Sequence, residues 1–344
     1  MNTSRFEKPT TRKKATEEEL ESLEKFHRDG FRYWPKLNDD CKLHVMSFVD
    51  MFTLTRLGRT SKSEKVLADG VPGILSSIEL RVYSANNSTV IIRGSERDEV
   101  TVDFWDGRVV TTKKSGVRSV IAENMNLEHA GVHYFNRMME KCRNQVEAIS
   151  VNSSDIPATP VEPFSPNITF LPLCRSASLV IRKADQQHFW LSKLPVHLDE
   201  LVVAFVHFQR PLTNENLWHP QIEHAHVLRL HQPAGFTDQH LLALAAAEIY
   251  FVERPPLVTT AGLNAFLSRW ASGNGRPNFV HLHILHCDDI DHFEIARDLF
   301  IERHESPDPD PDFAFRVWSN IYPADYMVVR FDGDTLIIES VLPK

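Results

Sequence analysis

The side chains best suited to chemistry are concentrated in the segment HLHILHCDDIDH, residues 281–292. Imidazole and thiolate groups are preferred zinc ligands, and His281 and His283, two apart on a strand, would project to the same side. Cys287 could supply a third ligand. However, the 17 histidines are spread along the whole chain, and a half-buried strand turns polar residues outward without any metal. We therefore predict an exposed strand side with no metal and no cofactor, and keep a metal-dependent enzyme as an alternative.

Recognisable catalytic motifs are missing from the rest of the sequence. It has no GxxxxGK phosphate loop, no GxGxxG after a strand, no HExxH and no GxSxG. None of the four cysteines forms a CxxC pair, which argues against a zinc module and against a secreted disulfide framework. The sequence therefore predicts a protein that is not an enzyme.

Charge and hydropathy limit the classes of partner. A net charge of -8 argues against a general nucleic-acid binder, which would show a basic face. The N-terminus has no apolar signal region, and the most apolar run, LLALAAAEIYFV, is too short to span a bilayer. We expect an intracellular protein, in the cytoplasm or the nucleus, without membrane or nucleic-acid partners.

The N-terminal part reads as a tail followed by short helices. Residues 1–30 are predicted to form a disordered tail and a charged helix. Asn38 is suited to cap a helix that runs to about Val49, Thr53 to begin a second helix, and Ser61 with Glu64 to open a third. These helices offer few inward side chains, so they need a partner surface in the same chain or in another.

The middle of the chain has the period of β-strands. From residue 77 to 114, short alternating segments are separated by turn signals such as Asp106-Gly107, which predicts an antiparallel meander. A helix over 127–143 and a strand over 146–151 follow. We assign residues 73–125 to a β-meander linker region.

The C-terminal half alternates strands and helices at intervals of about 20 to 30 residues. Residues 260–270 form the clearest helical pattern and 293–300 form another, while residues 326–341 predict a final hairpin. This rhythm suggests a parallel sheet lined by helices, as in a leucine-rich-repeat solenoid, and a doubly wound α/β domain is the alternative. The predicted fold class is therefore α+β or α/β, with an irregular strand-helix, leucine-rich-repeat-like domain over 126–344.

In such a sheet, alternate strand residues would line one exposed face. Arginine, tyrosine and histidine make large amphipathic contacts, so this surface is our candidate for binding a target protein. A plain polar solvent face is the alternative for each residue taken singly. The candidate target-binding residues are Arg182, Arg229, His231, Tyr250, His281 and His283.

The run LNDDC at residues 37–41, with the apolar positions that follow it, resembles an F-box. That motif begins Leu-Pro-x-Glu, so Asn38 departs from it by replacing proline. We place the F-box, as three helices, at 31–72. The segment 257–285 resembles the type 2 F-box-associated region of nematode F-box proteins, in which a Leu-Asn-x-Phe-Leu-x-x-Trp helix precedes a Gly-containing turn and an aliphatic strand. Here the helix carries Leu263, Asn264, Phe266, Leu267 and Trp270.

The resemblance implies a non-catalytic substrate-recognition adaptor of a Skp-cullin-F-box ubiquitin ligase. Its F-box would bind a Skp-family linker, and through it a cullin, while its C-terminal domain would bind the target protein. By position, the residues that would form or support the linker surface are Leu37, Asn38, Val45, Met46, Val49, Leu54 and Leu57.

A ligase-independent protein-interaction scaffold is the alternative function. In that case the helices would pack only on themselves, as we expect in particular of Val45 and Leu57. Exposure of Leu37, Met46 and Leu54 would favour docking onto a linker, and their burial within the chain would favour the scaffold.

Overall fold

The computed structural model describes residues 34–84, 86–94, 98–105, 107–113, 116–121, 130–142, 145–153, 174–181, 184–205, 217–231, 235–253, 256–274, 278–287, 289–303 and 313–341. The predicted tail and charged helix over 1–30 lie outside these residues, as do Arg182 and Asp106.

Fifteen β-strands are described. They are β1 (Ile74–Ser84), β2 (Asn87–Arg93), β3 (Glu99–Trp105), β4 (Arg108–Lys113), β5 (Gly116–Ile121), β6 (Gln145–Asn152), β7 (Ser176–Ile181), β8 (Glu200–Phe205), β9 (Val227–His231), β10 (Glu248–Val252), β11 (His281–Ile284), β12 (Ile301–Arg303), β13 (Phe313–Trp318), β14 (Tyr326–Asp332) and β15 (Thr335–Val341).

The α-helices described are α1 (Asp39–Met46), α2 (Met51–Leu57), α3 (Lys62–Gly70), α4 (Ala130–Lys141), α5 (Ala184–Lys193), α6 (Pro220–His224), α7 (Asp238–Ala243) and α8 (Thr260–Ala271). Two 3₁₀ turns lie at Trp34–Lys36 and Glu294–Ala296.

All fifteen strands belong to one sheet, in the order β12-β13-β14-β15-β11-β10-β9-β8-β7-β6-β1-β2-β3-β4-β5. The seven central strands, β1 and β6 to β11, are parallel. Antiparallel strands continue the sheet on both sides, β2 to β5 beyond β1 and β12 to β15 beyond β11. The sheet is therefore mixed, with antiparallel strands at both ends.

The predicted fold class is wrong, because the described strands form one large mixed sheet. Strand β1 pairs antiparallel with β2 and parallel with β6, so the meander and the strand-helix region share one sheet. The C-terminal hairpin also joins this sheet, so antiparallel strands flank the parallel ones on both sides and the whole is not a clear leucine-rich-repeat array. A doubly wound sheet is excluded as well, because consecutive parallel strands are neighbours with no reversal of order. Period-two alternation in a sequence identifies a strand but not the strands it pairs with. The sequence therefore could not show that the meander and the strand-helix region share one sheet.

The three predicted helices are present within residues 31–72, but they do not form a clear F-box. Helices α1 to α3 are only eight, seven and nine residues long. Met51 and Phe52 of α2 pack against the main core of the sheet. The helices therefore pack against the larger structure, next to the first residue of β1.

Local capping confirms part of the helix prediction. The Asn38 side chain accepts a hydrogen bond from the Cys41 N–H at 2.8 Å, and the Ser61 hydroxyl accepts one from the Glu64 N–H at 3.1 Å. Helix α2, however, is capped by Asp50 and not by Thr53. The helix predicted over 293–300 is also wrong, because those residues form a 3₁₀ turn and the approach to β12.

One face of the sheet is buried under helices, and the other, called the open face here, is covered by no helix among the described residues. Along β9, β10 and β11 alternate residues are buried, which removes one apolar face from water. Helix α8 contributes Leu263, Phe266 and Leu267 to the same core, because residues three and four apart share a helix face. The remaining strand residues lie half-buried on the opposite face.

Candidate functional site: the open sheet face and the N-terminal helices

Two rows of side chains cross the open face in register. The first row is Glu79, Ser150, Ser178, Val202, Arg229, Tyr250 and His283. The second row is Ser77, Ala148, Ser176, Glu200, Val227, Glu248, His281 and Glu339. Straight rows arise because aligned strands place every second residue on the same side at the same height.

Arg229 and Tyr250 form the centre of a polar cluster on β9 and β10. The Arg229 guanidinium lies 4.1 Å from the centre of the Tyr250 ring, and its Nε donates to Glu200 Oε1 at 2.9 Å. The Tyr250 hydroxyl donates to Glu248 Oε2 at 2.8 Å. Burial, together with this bond, raises the pKa of Tyr250. The contacts hold an aromatic ring and a cation in fixed positions at the surface.

Two histidines extend this cluster. The His281 ring lies 5.0 Å from the Tyr250 ring, and its Nδ1 is 3.5 Å from Glu339 Oε1. Burial lowers the pKa of His281, although the nearby carboxylates of Glu339 and Glu248 oppose the shift. Burial also lowers the pKa of His283, with a smaller contribution from His281. These shifts favour the neutral form of both rings, in which each ring presents one donor and one acceptor.

A second charged cluster lies on β1, β2 and β3. Arg81 Nε donates to Glu79 Oε1 at 2.6 Å, and Arg93 Nε donates to Glu99 Oε2 at 2.7 Å. Arg93 also approaches Glu79 at 3.7 Å. The side chains are partly exposed, so the pairs mainly fix charge positions and add little stability.

Small side chains lie between the two clusters. They form a shallow depression of about 100 Å³ whose rim includes Glu79, Arg93 and Glu200. The small residues are Ser77, Ala148, Ser150, Ser176 and Ser178. This depression could receive a protruding side chain of a bound protein, with hydroxyl and carboxylate groups available to it.

The alternative metal site is not assembled. His281 and His283 lie on the open face, whereas Cys287 is buried in the core and its Sγ is 3.1 Å from the Asp334 carbonyl oxygen. Among the described residues no group of three or more His, Cys, Asp and Glu side chains could hold a metal ion. The three residues therefore do not converge.

The structure brings five of the six candidate target-binding residues onto one face, and the sixth, Arg182, lies outside the described residues. His231 sits at the end of β9, with its Nδ1 3.3 Å from Glu253 Oε1. Sequence reasoning missed the carboxylates that hold these residues: Glu200, Glu248 and Glu339. Glu200 and Glu248 are the first residues of β8 and β10, so strand alternation could have located them once the start of each strand was known.

The N-terminal helices have a small core of their own. Met46 and Leu54 are fully buried in it with Ala68 and Val71. Val49 and Leu57 pack against it from its margin, Leu37 is half-buried, and Asn38 is exposed. The burial of Met46 and Leu54 is the observation that favours internal packing for these two positions.

Other apolar side chains of the helices face solvent. Val45 is exposed, contrary to the expectation that it would only pack internally. Phe48 and Val66 are each 72% exposed, and the Phe48 ring contacts the exposed His44 edge-on. Sequence reasoning missed Phe48 and Val66 as contact candidates, because apolar residues on a helix are usually expected to face the core.

Several contacts attach the helices to the sheet. Asp50 forms a bridge with Ile74, Arg56 pairs with Asp98 at 3.1 Å, and Phe52 lies against Gly94. A groove of about 610 Å³ remains between this attachment and α4. The helices thus hold a fixed position beside the first strands.

Comparison with known proteins gives one informative similarity. The chain is 23% identical over 373 residues to an uncharacterized F-box protein of Caenorhabditis elegans. This relative is a nematode F-box protein. The similarity covers 97% of the chain and 94% of the relative, so it is not confined to the short N-terminal motif. It supports a nematode-type F-box protein and does not identify the type 2 associated region. No family model matches the chain, and no solved structure matches it significantly.

Within the described ranges, no helix is both long enough and apolar enough to cross a bilayer.

Proposed function

We propose that the protein is a non-catalytic substrate-recognition adaptor of a Skp-cullin-F-box ubiquitin ligase. The observation that carries this proposal is the end-to-end similarity to an F-box protein. The partners would be a Skp-family linker, a cullin bound through that linker, and a target protein. Such an adaptor contributes proximity: it holds the target near the transfer machinery and supplies no reacting group.

In this proposal the N-terminal helices provide the linker contact. Of the residues proposed from the sequence, Asn38 and Val45 are exposed enough to touch a partner directly. Met46 and Leu54 would support the surface from inside, with Val49, Leu57 and Leu37 at its margin. The exposed Phe48 and Val66 supply the apolar area that an interface core requires.

The open sheet face is proposed to hold the target. Its candidate residues are Arg229, His231, Tyr250, His281 and His283, with Arg182 retained from the sequence. Arginine and tyrosine held by neighbouring carboxylates are pre-organised, so binding would cost them little conformational entropy.

The test is co-purification of the full chain with a Skp-family linker. The wild type should retain the linker, and Phe48→Asp should lower the retained amount at least about fivefold, since an interface core excludes a charge. Phe300→Asp is the matched control, because Phe300 is 69% exposed and lies next to β12. If the intact wild type retains no linker while a known F-box protein does so in the same assay, the proposal fails.

A ligase-independent interaction scaffold is the second candidate, favoured by the burial of Met46 and Leu54. Both functions predict target capture by the open face. They differ in the linker experiment: a scaffold would capture its target and show no linker binding in either the wild type or Phe48→Asp.

A further inference from the structure

Strand β5 is an open edge of the large sheet. It ends the strand order, and among the described residues it pairs only with β4. The other edge strand, β12, has three residues and is followed in the sequence by the proline-rich segment 306–312. Strand β5 has six residues, about the length of an ordinary strand. It is the longer template for another strand.

The backbone of β5 can donate and accept on its free side. Lys113 and Gly116 close the β4–β5 ladder and are separated by two residues, so they form a hydrogen-bonded pair. Hydrogen-bonded and non-bonded pairs alternate along an antiparallel ladder. The N–H and C=O groups of Val117 and Ser119 therefore point away from β4, toward the free side.

This edge also carries unneutralised positive charge. From residue 107 to 122 the sequence contains two arginines and two lysines and no acidic residue. Arg108, Lys113 and Arg118 are exposed, and none forms an ion pair with a carboxylate of the described chain. On the open face, by contrast, Arg229 and Arg330 each pair with a glutamate.

We propose that β5 binds an extended acidic peptide segment of another protein, which adds to the sheet as a further strand. The proposal goes beyond the ligase function and does not depend on it. Main-chain hydrogen bonds to β5 would fix the register of the bound segment, and the positive charges of the edge would make binding selective for acidic segments. Two copies of this basic edge repel each other, so pairing with a second copy is disfavoured while an acidic segment is attracted.

The side chains of β5 define the pattern of the segment. Arg118 lies opposite Thr111, on the same face as Lys113, whereas the 69% exposed Val117 lies on the other face. Successive residues of an added strand point to alternate faces. The segment should therefore alternate carboxylate residues, which meet Arg118 and Lys113, with aliphatic residues, which cover Val117.

The experiment measures fluorescence anisotropy with a labelled peptide of about six residues that alternates glutamate and valine. The full-length wild type should bind this peptide. A peptide of the same composition, with its glutamates in one block and its valines in another, should bind at least about tenfold more weakly. Arg118→Glu should weaken binding about five- to tenfold, because it replaces an attraction with a repulsion. Arg303→Glu, on the opposite edge strand, is the matched control and should leave binding unchanged.

A backbone variant separates strand addition from general charge attraction. Ser119→Pro removes an outward N–H but no bond to β4, so circular dichroism should be unchanged while peptide binding is lost. Arg118→Glu should also gain binding to a peptide that alternates lysine and valine, which shows that the variant is folded. The proposal is overturned if the wild type does not bind the peptide, or if a backbone-methylated peptide binds equally well. It is also overturned if a single-stranded oligonucleotide displaces the peptide equally from the wild type and from Ser119→Pro.

Discussion

At the scale of single residues, the buried ion pair between Lys42 and Glu64 should contribute strongly to the stability of the N-terminal helices. It joins α1 to α3 at 2.8 Å, and the two side chains are only 10% and 8% exposed. Because removal of one partner leaves the other charge buried, Glu64→Ala should destabilise the helices by about 3 kcal/mol. Amide hydrogen exchange of residues 39–70 would measure this loss.

The matched comparison is the double variant Lys42→Met with Glu64→Leu. It replaces both charges with apolar groups of similar size, so the helices should exchange nearly as slowly as in the wild type. Fast exchange in the double variant would mean that the polar contact itself, and not an unpaired charge, decides the stability.

His281 should make stability depend on pH. Burial lowers its pKa in the folded state, and the unfolded value is about 6.5. The contribution of His281 to the free energy of unfolding is therefore fully present above about pH 6.5. It decreases as the pH falls through this value, until His281 is protonated in the folded state as well. His281→Gln should reduce the slope of stability against pH between about 5 and 6.5 in urea titrations.

The groups that face His281 determine the size of this effect. Glu339 and Glu248 favour its protonation, whereas Arg330 opposes it, and His283 titrates beside it. His44→Gln, at an exposed position on α1, is the control and should leave the slope as it is in the wild type. An unchanged slope in His281→Gln would assign the pH dependence to other groups.

At the scale of elements, the attachment of α2 to the sheet depends on Gly94. A Cβ atom at this position would lie 2.5 Å from the Phe52 ring, which is itself packed against the core. Gly94→Ala should therefore destabilise the protein by about 1 to 3 kcal/mol, because the ring has to shift. A urea denaturation curve would show this as a lower midpoint.

Gly70 provides the comparison, since a Cβ atom there would meet nothing within 4 Å. Gly70→Ala should leave stability unchanged or raise it slightly, because alanine restricts the unfolded chain. Equal effects of the two variants would show that the Phe52 contact does not hold the helices in place.

Elements were predictable where the signal is local. The caps at Asn38 and Ser61 follow from side-chain oxygens within reach of nearby N–H groups, and α8 follows from its apolar spacing. Asp50 was overlooked because Thr53 is also a good cap, and only the path of the chain decides between them. Tyr250 and Arg229 were placed on one face by alternation alone. Their carboxylate partners required the strand order, which a single sequence does not contain.

At the scale of the whole molecule, the strand order explains why the predicted division at residue 125 is not a boundary between separate sheets. The pairing of β1 with β6 joins residues from before and after residue 125. Leu80 pairs with Val151, and Ile78 pairs with Ile149. These four residues belong to one hydrophobic core. Local periodicity could not reveal this, because β1 reads equally well as the first strand of an isolated meander.

The continuous sheet therefore predicts how fragments behave. Residues 1–125 and 126–344, expressed separately, should each lack cooperative thermal unfolding, because each would expose one side of the β1–β6 ladder and half of a shared core. Expressed together, they should associate and regain the near-UV circular dichroism of the intact chain. The control is the full chain with a protease site inserted after residue 125, which should remain folded after cleavage. Cooperative unfolding of 126–344 alone would contradict the prediction and would support a domain boundary at residue 125.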